Sequence, residues 1–186
     1  NAVLPILAAS MLAGGPVKIL DCPRLTDVDN MLEIVRTLGC RVCREGGAAV
    51  IDPGGACRWE MPEELSKSLR SSIFLMGPLL GRFRRAKVTY PGGCEIGLRP
   101  IDLHLKGLRA LGVTVRESHG MICLDGEKLR GGDVYLDFPS VGATENLMMA
   151  AATARGTTSI HNAAREPEIC DLQEFVNAMG GRVRGA

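Results

Sequence analysis

The residues most able to do chemistry lie together between Tyr90 and His104. The stretch reads Tyr-Pro-Gly-Gly-Cys-Glu-Ile-Gly-Leu-Arg-Pro-Ile-Asp-Leu-His, which combines the Cys94 thiol, the Arg99 guanidinium, a carboxylate and an imidazole. Its glycines permit backbone angles closed to other residues, so we expect Cys94 on an exposed, sharply turned loop that leads into a helix. A nearby guanidinium favours the thiolate and can also bind a phosphate or carboxylate. The spacing is compatible with a reactive thiol and equally with an ordinary packed one.

A second candidate site is the run Ser140-Val141-Gly142-Ala143-Thr144, which directly precedes an apolar helical segment. The free backbone amides at the amino end of a helix, together with the positive end of its dipole, suit a phosphate. Serine is also a preferred residue for capping a helix. The run is therefore compatible with a phosphate site and with a simple cap.

The basic run from Arg82 to Lys87 follows another apolar helical segment. We interpret it as a solvated turn, where positive charge suits the carboxyl end of the helix dipole. Guidance of anionic ligands is the alternative interpretation.

Cys40 and Cys43 have the spacing of half a zinc site. They fall at the start of a predicted strand, where an interval of three residues points the two thiols to opposite faces. The other cysteines have no ligand-like spacing, so we predict no metal site.

Composition limits the class of protein. The chain has 186 residues with 46% hydrophobic content, enough for one domain with a buried core. Its net charge is only +1, and aromatic residues make up 4%, which argues against nucleic-acid and membrane partners. Seven cysteines at irregular spacing fit a reducing cytoplasm better than a disulfide framework, and no transmembrane run is evident. We therefore expect a cytoplasmic protein.

Three segments share one pattern: an apolar helix, a short strand, a polar loop, and an amphipathic helix that ends in Leu-Gly or Met-Gly before another strand. The glycines at these endings are Gly39, Gly112 and Gly180, and each lies where a helix is expected to stop. We interpret the pattern as an internal repeat, with units at about residues 1–62, 63–138 and 139–186.

Apolar spacing predicts which helical faces are buried. The first amphipathic helix has apolar residues at helical intervals, and the other two repeat the pattern. The remaining helices, near Leu4–Leu12, Ile73–Leu80 and Asn146–Ala154, are apolar on most sides, which predicts a central position. Strands are predicted at residues 16–20, 48–51, 86–90, 121–124, 133–136 and 157–161. The predicted class is α/β.

The run from Pro91 to His104 resembles the active-site loop of the UDP-N-acetylglucosamine 1-carboxyvinyltransferases, which belong to the enolpyruvyl transferases. Further matches extend along the whole chain: Asn1-Ala2 with Leu4-Pro5-Ile6-Leu7, Arg70 before Gly77-Pro78-Leu79-Leu80, Ser140-Val141-Gly142-Ala143-Thr144-Glu145-Asn146, and Asn162-Ala163-Ala164-Arg165-Glu166-Pro167-Glu168-Ile169. The resemblance implies an inside-out α/β barrel of three repeated units, with inner apolar helices and outer sheets.

The same resemblance implies the reaction. Enzymes of this kind transfer the enolpyruvyl group of phosphoenolpyruvate to the 3-hydroxyl of UDP-N-acetylglucosamine and release phosphate, early in peptidoglycan synthesis. They need no metal or organic cofactor. Multiply charged substrates of this kind call for arginines and backbone amides, and protonation of a carbon atom calls for a positioned acid.

The resemblance also implies roles for individual residues. Cys94 would protonate the methylene of phosphoenolpyruvate and would be the thiol that fosfomycin alkylates, while Arg99 would hold phosphoenolpyruvate beside Asn1. In the UDP-sugar site His104 would lie near the uridine, and Ser140 and Val141 near the diphosphate. The full implied substrate-binding set is Asn1, Arg70, Arg99, Pro100, Ile101, Asp102, Leu103, His104, Ser140, Val141 and Gly142.

Several features depart from the family pattern. Family members have a catalytic lysine immediately before the position of Asn1, and a second domain of similar size that supplies the base for the sugar hydroxyl. The 186 residues of this chain include neither, so we expect one domain of a two-domain enzyme, inactive alone. Glu95 replaces a residue that is usually small, and Phe138 occupies a position that is lysine in some relatives.

Two alternatives stay open at the level of sequence. A transferase that acts on shikimate 3-phosphate would share the repeat architecture, although Cys94 and its loop argue against it. A non-catalytic UDP-sugar-binding module would keep the fold without the reaction.

Overall fold

The computed structural model describes residues 1–62, 65, 70–90 and 101–186, without the side chains of residues 70 and 71. The fold is α/β, as the sequence predicts. Cys94, Arg99 and Pro100 lie outside the described residues, and so does the side chain of Arg70. The predictions made for those groups are therefore not tested by the structure.

The described helices are α1 (Val3–Ala9), α2 (Thr26–Thr37), α3 (Met76–Phe83), α4 (Asp102–Ala110), α5 (Val141–Ala151) and α6 (Pro167–Ala178). Short 3-10 segments cover Ser10–Leu12, Pro53–Gly55 and Arg70–Leu75. The strands are β1 (Val17–Ile19), β2 (Arg41–Glu45), β3 (Ala48–Asp52), β4 (Arg85–Thr89), β5 (Thr114–Ser118), β6 (Met121–Asp125), β7 (Asp133–Tyr135) and β8 (Ser159–His161).

The strands form three sheets in the described part of the chain. Two are antiparallel and three-stranded, in the orders β1-β3-β2 and β4-β6-β5, and the third pairs β7 with β8 in parallel. Because side chains alternate along a strand, one face of each sheet carries the apolar residues: Ile122 and Leu124 of β6 are buried, whereas Cys123 between them is exposed. The six strands to which the sequence assigns residue ranges are all present, within two residues of those ranges, and β2 and β5 follow Gly39 and Gly112 as the repeat pattern predicts.

Three helical segments occupy the interior, as their apolar composition predicts. In α5 every residue from Ala143 to Ala150 is buried, and in α3 every residue from Met76 to Gly81 is buried. The first segment buries Leu7, Ala8 and Ala9. α3 packs against α5, and α5 also contacts α4 and α6. The helices α3, α4 and α6 therefore converge on α5.

The amphipathic helices α2, α4 and α6 end in the same way. At each end the glycine has a positive φ, 104° at Gly39, 87° at Gly112 and 99° at Gly180. Its N–H bonds a carbonyl three residues back, and the next residue's N–H bonds a carbonyl five residues back. This is the Schellman arrangement, in which glycine adopts the left-handed conformation without a Cβ penalty. The helix stops predicted from the Leu-Gly and Met-Gly pairs are confirmed.

The strand predicted after Gly180 is wrong. Residues 181–186 form no strand, unlike β2 after Gly39 and β5 after Gly112. The Asn177 side chain occupies both backbone groups of Val183: its Nδ2 donates to the Val183 carbonyl at 2.9 Å and its Oδ1 accepts from the Val183 N–H at 2.7 Å. Both backbone groups of Val183 are therefore bonded to a side chain and not to a neighbouring strand.

The basic run after α3 is also less solvated than predicted. Arg82 is partly buried and donates to the carbonyls of Met11 at 3.0 Å and Pro53 at 2.7 Å. Arg84, in a left-handed conformation, donates to the Thr153 carbonyl at 2.7 Å. The two guanidiniums thus tie the end of α3 to neighbouring elements, and only Arg85 of these three residues is exposed.

Across the described residues, no helix combines the length and the apolar character that a membrane span requires.

The close approach of α3 and α5 predicts the effect of adding a methyl group at Gly77. A Cβ there would lie 2.5 Å from the Asn146 carbonyl oxygen, which is backbone and cannot move aside. We expect Gly77→Ala to lower the free energy of unfolding by about 2 kcal/mol, although alanine favours helix. Gly14→Ala is the control, because nothing lies within 4 Å of its added Cβ. Equal urea midpoints for both variants would contradict the predicted packing.

Candidate functional site

The amino end of α5 is built as an anion-compatible cap. Ser140 has extended backbone angles, and its Oγ accepts a hydrogen bond from the Ala143 N–H at 3.4 Å. The first turn of the helix contains no acidic residue. Because the first amides of a helix have no intrahelical acceptor, those of Val141 and Gly142 remain without a partner in the helix, which is compatible with binding of an anion. The sequence left open a helix cap and a phosphate site. The cap is observed, and it is compatible with a phosphate site.

Thr144 fixes this cap to the following loop. Its Oγ1 donates to the Ser140 carbonyl at 2.8 Å and accepts from the Ala164 N–H at 3.1 Å. Thr144 and Ala164 are both buried. The conformation of the cap is therefore set by packing on both sides.

The first turn of α4 carries four of the predicted site residues. Ile101 precedes the helix and is buried, Asp102 begins it and is exposed, and Leu103 is buried. Any ligand contact of Ile101 and Leu103 is therefore expected from the main chain. His104 is 7% exposed and faces α5.

His104 and Gly142 are brought together by the packing of α4 on α5. A Cβ built on Gly142 would lie 3.1 Å from His104 Cε1 and 3.3 Å from His104 Nε2, with the Phe74 ring also at 3.3 Å. The imidazole thus lies directly against the first turn of α5, where glycine leaves room for it. The sequence predicted both residues in one site, and the structure places them in contact.

Asn146 connects three elements through one fully buried amide. Its Oδ1 accepts from the Gly77 N–H of α3 at 2.8 Å, and its Nδ2 donates to the Ile73 carbonyl at 3.0 Å. The same Nδ2 lies 2.9 Å from Nδ1 of His104. Asn146 is 0% exposed, so these bonds replace the solvation that its amide loses on folding.

Burial lowers the pKa of His104 to about 4. An imidazole removed from water loses the hydration that stabilises its charged form. At neutral pH His104 is therefore an uncharged hydrogen-bonding group and contributes no positive charge to the site.

The other side of α5 carries a buried carboxyl group. Glu145 is 1% exposed, and its Oε2 has no hydrogen-bond partner among the described residues. Burial, and then the nearby Glu168 carboxylate, raise the pKa of Glu145 to about 8. Glu168 in turn accepts a hydrogen bond from Asn1 Nδ2 at 3.2 Å. The predicted site residue Asn1 is thus held beside an acidic cluster formed by Glu145, Glu166 and Glu168.

Sequence reasoning did not select Glu145 and Asn146 as functional residues. They appeared only as members of the motif that starts at Ser140. The signal that could have identified them is their chemistry, since they are adjacent polar residues within a helix predicted to be apolar on most sides.

The thiols of Cys40 and Cys43 differ in burial, as predicted for two residues on opposite faces. Cys40 is buried, which raises its pKa to about 11, whereas Cys43 is exposed. The pair therefore points in opposite directions, as predicted. In the described ranges no group of three His, Cys, Asp or Glu side chains is placed to hold a metal ion.

Comparison with known sequences gives matches along the entire chain. The profile of a family described as EPSP synthase (3-phosphoshikimate 1-carboxyvinyltransferase) matches residues 1–186. A protein named UDP-N-acetylglucosamine 1-carboxyvinyltransferase 2 from Caldanaerobacter subterraneus subsp. tengcongensis is 54% identical over 100% of this chain and 45% of its own length. A UDP-N-acetylglucosamine 1-carboxyvinyltransferase from Desulfatibacillum aliphaticivorans is 49% identical over the same shares. The chain spans less than half the length of these curated relatives.

Comparison with solved structures finds the same fold. The enolpyruvyl transferase NikO from Streptomyces tendae matches with a TM-score of 0.83 and 22% identity, over 95% of this chain and 42% of that one. An EPSP synthase from Acinetobacter baumannii matches with a TM-score of 0.67 and 18% identity, over 91% and 41% of the two chains. At these identities the similarity concerns the fold alone.

The raised pKa of Glu145 predicts a pH-dependent stability. The folded chain holds this proton up to about pH 8, whereas the unfolded chain releases it near the ordinary value of 4.5. Stability is therefore lost as pH rises between these two values. We expect Glu145→Gln, which cannot ionise, to gain about 3 kcal/mol relative to the unsubstituted chain between pH 5 and pH 8.

Urea unfolding curves across this pH range measure the difference in the free energy of unfolding. Glu174→Gln is the matched control, because Glu174 lies on the exposed side of α6 and should leave the pH dependence unchanged. Parallel pH profiles for Glu145→Gln and the unsubstituted chain would contradict the prediction.

Proposed function

The chain belongs to the EPSP synthase (3-phosphoshikimate 1-carboxyvinyltransferase) family, and on that premise we propose that it is one domain of a UDP-N-acetylglucosamine 1-carboxyvinyltransferase. Such an enzyme transfers the enolpyruvyl group of phosphoenolpyruvate to the 3-hydroxyl of UDP-N-acetylglucosamine and releases phosphate, in peptidoglycan synthesis. The observation that carries the proposal is the identity of 49% to 54% with proteins of that name over the whole chain.

The geometry around α5 supports a sugar nucleotide as ligand. The amino end of α5 is suited to a diphosphate, because the amides of Val141 and Gly142 have no acceptor within the helix and the first turn carries no carboxylate. The neutral imidazole of His104 lies against the same turn. Exposed Asp102 and the main chain of the first turn of α4 supply further polar groups for the sugar nucleotide.

The chemical step is assigned to residues outside the described ranges. Cys94 donates a proton to the methylene carbon of phosphoenolpyruvate while the sugar hydroxyl oxygen adds to the neighbouring carbon and gives its proton to the base assigned to the second domain. Loss of phosphate from that carbon, together with loss of a proton from the new methyl group, then forms the enol ether of the product. Arg99 holds phosphoenolpyruvate, with Asn1 beside it, and Arg70 and Pro100 complete the UDP-sugar site. The roles of Cys94, Arg99 and Pro100 rest on the motif from Pro91 to His104, and those of Asn1 and Arg70 on the further matches to the family. They require neither a metal nor an organic cofactor.

The finer architecture proposed is an inside-out α/β barrel of three units at about residues 1–62, 63–138 and 139–186. Three observations support it: the buried helices α1, α3 and α5, the amphipathic helices α2, α4 and α6 with identical glycine endings, and a three-stranded sheet within each of the first two units. The third sheet pairs β7 of the second unit with β8 of the third. Inner helices surrounded by sheets would place the amino end of α5 at the rim of the barrel.

A second domain of similar size is proposed as the partner of this one. The curated relatives are more than twice as long as the matched region, and the base for the sugar hydroxyl is assigned to that other half. The cytoplasm is the proposed location, since six cysteines in the described ranges are free thiols.

We expect the chain alone to release no phosphate from UDP-N-acetylglucosamine and phosphoenolpyruvate. Fusion to the second domain of the Caldanaerobacter relative, with a lysine placed directly before Asn1, should restore release, because it supplies both the missing lysine and the missing base. Phosphate is measured colorimetrically with both substrates present, and omission of either substrate is the control. Turnover by the isolated chain would contradict the proposed division of the site. Activity of the fusion with shikimate 3-phosphate in place of the UDP-sugar would favour the related transferase.

The fusion protein also tests Cys94. In the presence of UDP-N-acetylglucosamine we expect fosfomycin to add once, through attack of the thiolate on the epoxide, with an intact-mass increase of one inhibitor molecule. Cys94→Ser should abolish the adduct, and Cys123→Ser should retain it, because exposed Cys123 lies on the outer face of β6. An adduct that persists in Cys94→Ser would contradict the assigned role.

A further inference from the structure

We propose that Asn146 is a positioning residue that holds His104 as the tautomer with its proton on Nε2, so that the imidazole donates a hydrogen bond at the amino end of α5. The identity of the ligand that accepts this bond rests on the function proposed above. The tautomer itself does not, because it follows from contacts within the described chain.

The orientation of the Asn146 amide is fixed by two backbone groups with one role each. The Gly77 N–H can only donate, so the atom 2.8 Å away must be Oδ1. The Ile73 carbonyl can only accept, so the atom 3.0 Å away must be Nδ2. A flipped amide would place a donor against a donor and an acceptor against an acceptor. Both contacts are buried, where such mismatches are most costly.

The fixed amide determines the protonation of His104. Nδ2 lies 2.9 Å from His104 Nδ1 and has a second hydrogen to donate, so Nδ1 must accept. A neutral imidazole has one protonated nitrogen, which leaves the proton on Nε2. A second proton on Nδ1 would face the Asn146 amino group, in agreement with the lowered pKa that burial gives His104.

The Nε2 edge of the ring is available to a ligand. No described residue accepts a hydrogen bond from Nε2, and this atom is not among the sealed, unpartnered atoms of the described interior. The same edge lies against Gly142 in the first turn of α5. The Nε2 proton therefore adds one neutral donor to the Val141 and Gly142 amides of that turn, which have no acceptor within the helix. An acceptor oxygen of a sugar nucleotide, on the diphosphate or the uracil, is the class of group that it fits.

A neutral donor differs from a cationic one in what it selects. An imidazolium would attract any anion, whereas an oriented N–H stabilises only a ligand whose acceptor atom lies at one position. Asn146 thus contributes to recognition through His104, although its own side chain is sealed in the core. It is not a catalytic residue, because it touches neither the ligand nor the reacting atoms.

Long-range ¹H–¹⁵N spectra of the histidine rings test the tautomer directly in the 186-residue chain. The three histidines are distinguished by loss of one signal set in His104→Gln. We expect His104 to show protonated Nε2 and unprotonated Nδ1 at pH 7. A protonated Nδ1, or a mixture of tautomers as in free histidine, would overturn the inference without any variant of Asn146.

Asn146→Leu then tests the cause. Leucine has no donor for Nδ1, so we expect His104 to lose its single tautomer and to show a mixture of the Nδ1 and Nε2 forms. An unchanged His104 spectrum in a folded Asn146→Leu chain would overturn the role of Asn146.

The fusion with the second domain provides the functional readout. We expect Asn146→Ala to raise KM for UDP-N-acetylglucosamine about tenfold while kcat and KM for phosphoenolpyruvate change less than about twofold. Asn177→Ala is the matched control, because among the described residues that amide bonds Val183 alone, and it should leave all three values unchanged. A fall of about tenfold in kcat, with an unchanged KM for UDP-N-acetylglucosamine, would overturn the inference. If the unsubstituted fusion does not use UDP-N-acetylglucosamine, the proposed function fails, and the ring spectra alone decide the tautomer.

Discussion

The close contact between α3 and α5 is the constraint on which the interior depends. Gly77 brings the backbone of α3 against the Asn146 carbonyl, and the Asn146 side chain bonds the Gly77 N–H and the Ile73 carbonyl. The Gly77 N–H belongs to the first turn of α3, where a helix lacks acceptors of its own. An unsatisfied amide at that depth would cost about 1 to 3 kcal/mol. Asn146 therefore acts as a cap supplied by a different helix.

This arrangement makes α5 responsible for both packing and recognition. Its buried centre carries Asn146 toward α3 and α4, and Glu145 toward the acidic groups of α6, while its amino end presents Ser140 and free amides. Because the same helix fills the core, the position of its first turn is fixed by contacts on several sides.

The two polar residues in the centre of α5 differ in how well they are satisfied. Every group of the Asn146 amide is paired, so its burial costs little and its geometry is unique. Glu145 has one oxygen without a partner among the described residues and keeps its proton to about pH 8. Asn146 therefore stabilises the interior, whereas the buried Glu145 lowers the free energy of unfolding in neutral solution.

The sequence by itself determined the elements. Apolar periodicity predicted the buried helices and six strands, and glycine after leucine or methionine predicted where α2, α4 and α6 stop, because these signals act over a few neighbouring residues. The strand predicted at Val183 is wrong, since the backbone of Val183 bonds the Asn177 side chain. The prediction of a solvated turn is wrong for Arg82 and Arg84, whose guanidiniums bond carbonyls 29 to 71 residues away. The role of the Cys94 loop stays a prediction from motif.

Within the site, sequence placed His104 beside Ser140 and Gly142 through family resemblance, and did not identify the partner that orients it. Only the tertiary structure decided that partner. Asn146 lies 42 residues from His104, 69 from Gly77 and 73 from Ile73 along the chain. No local pattern links these positions, since the hydrogen bonds exist only after three helices have packed and excluded water from the space between them.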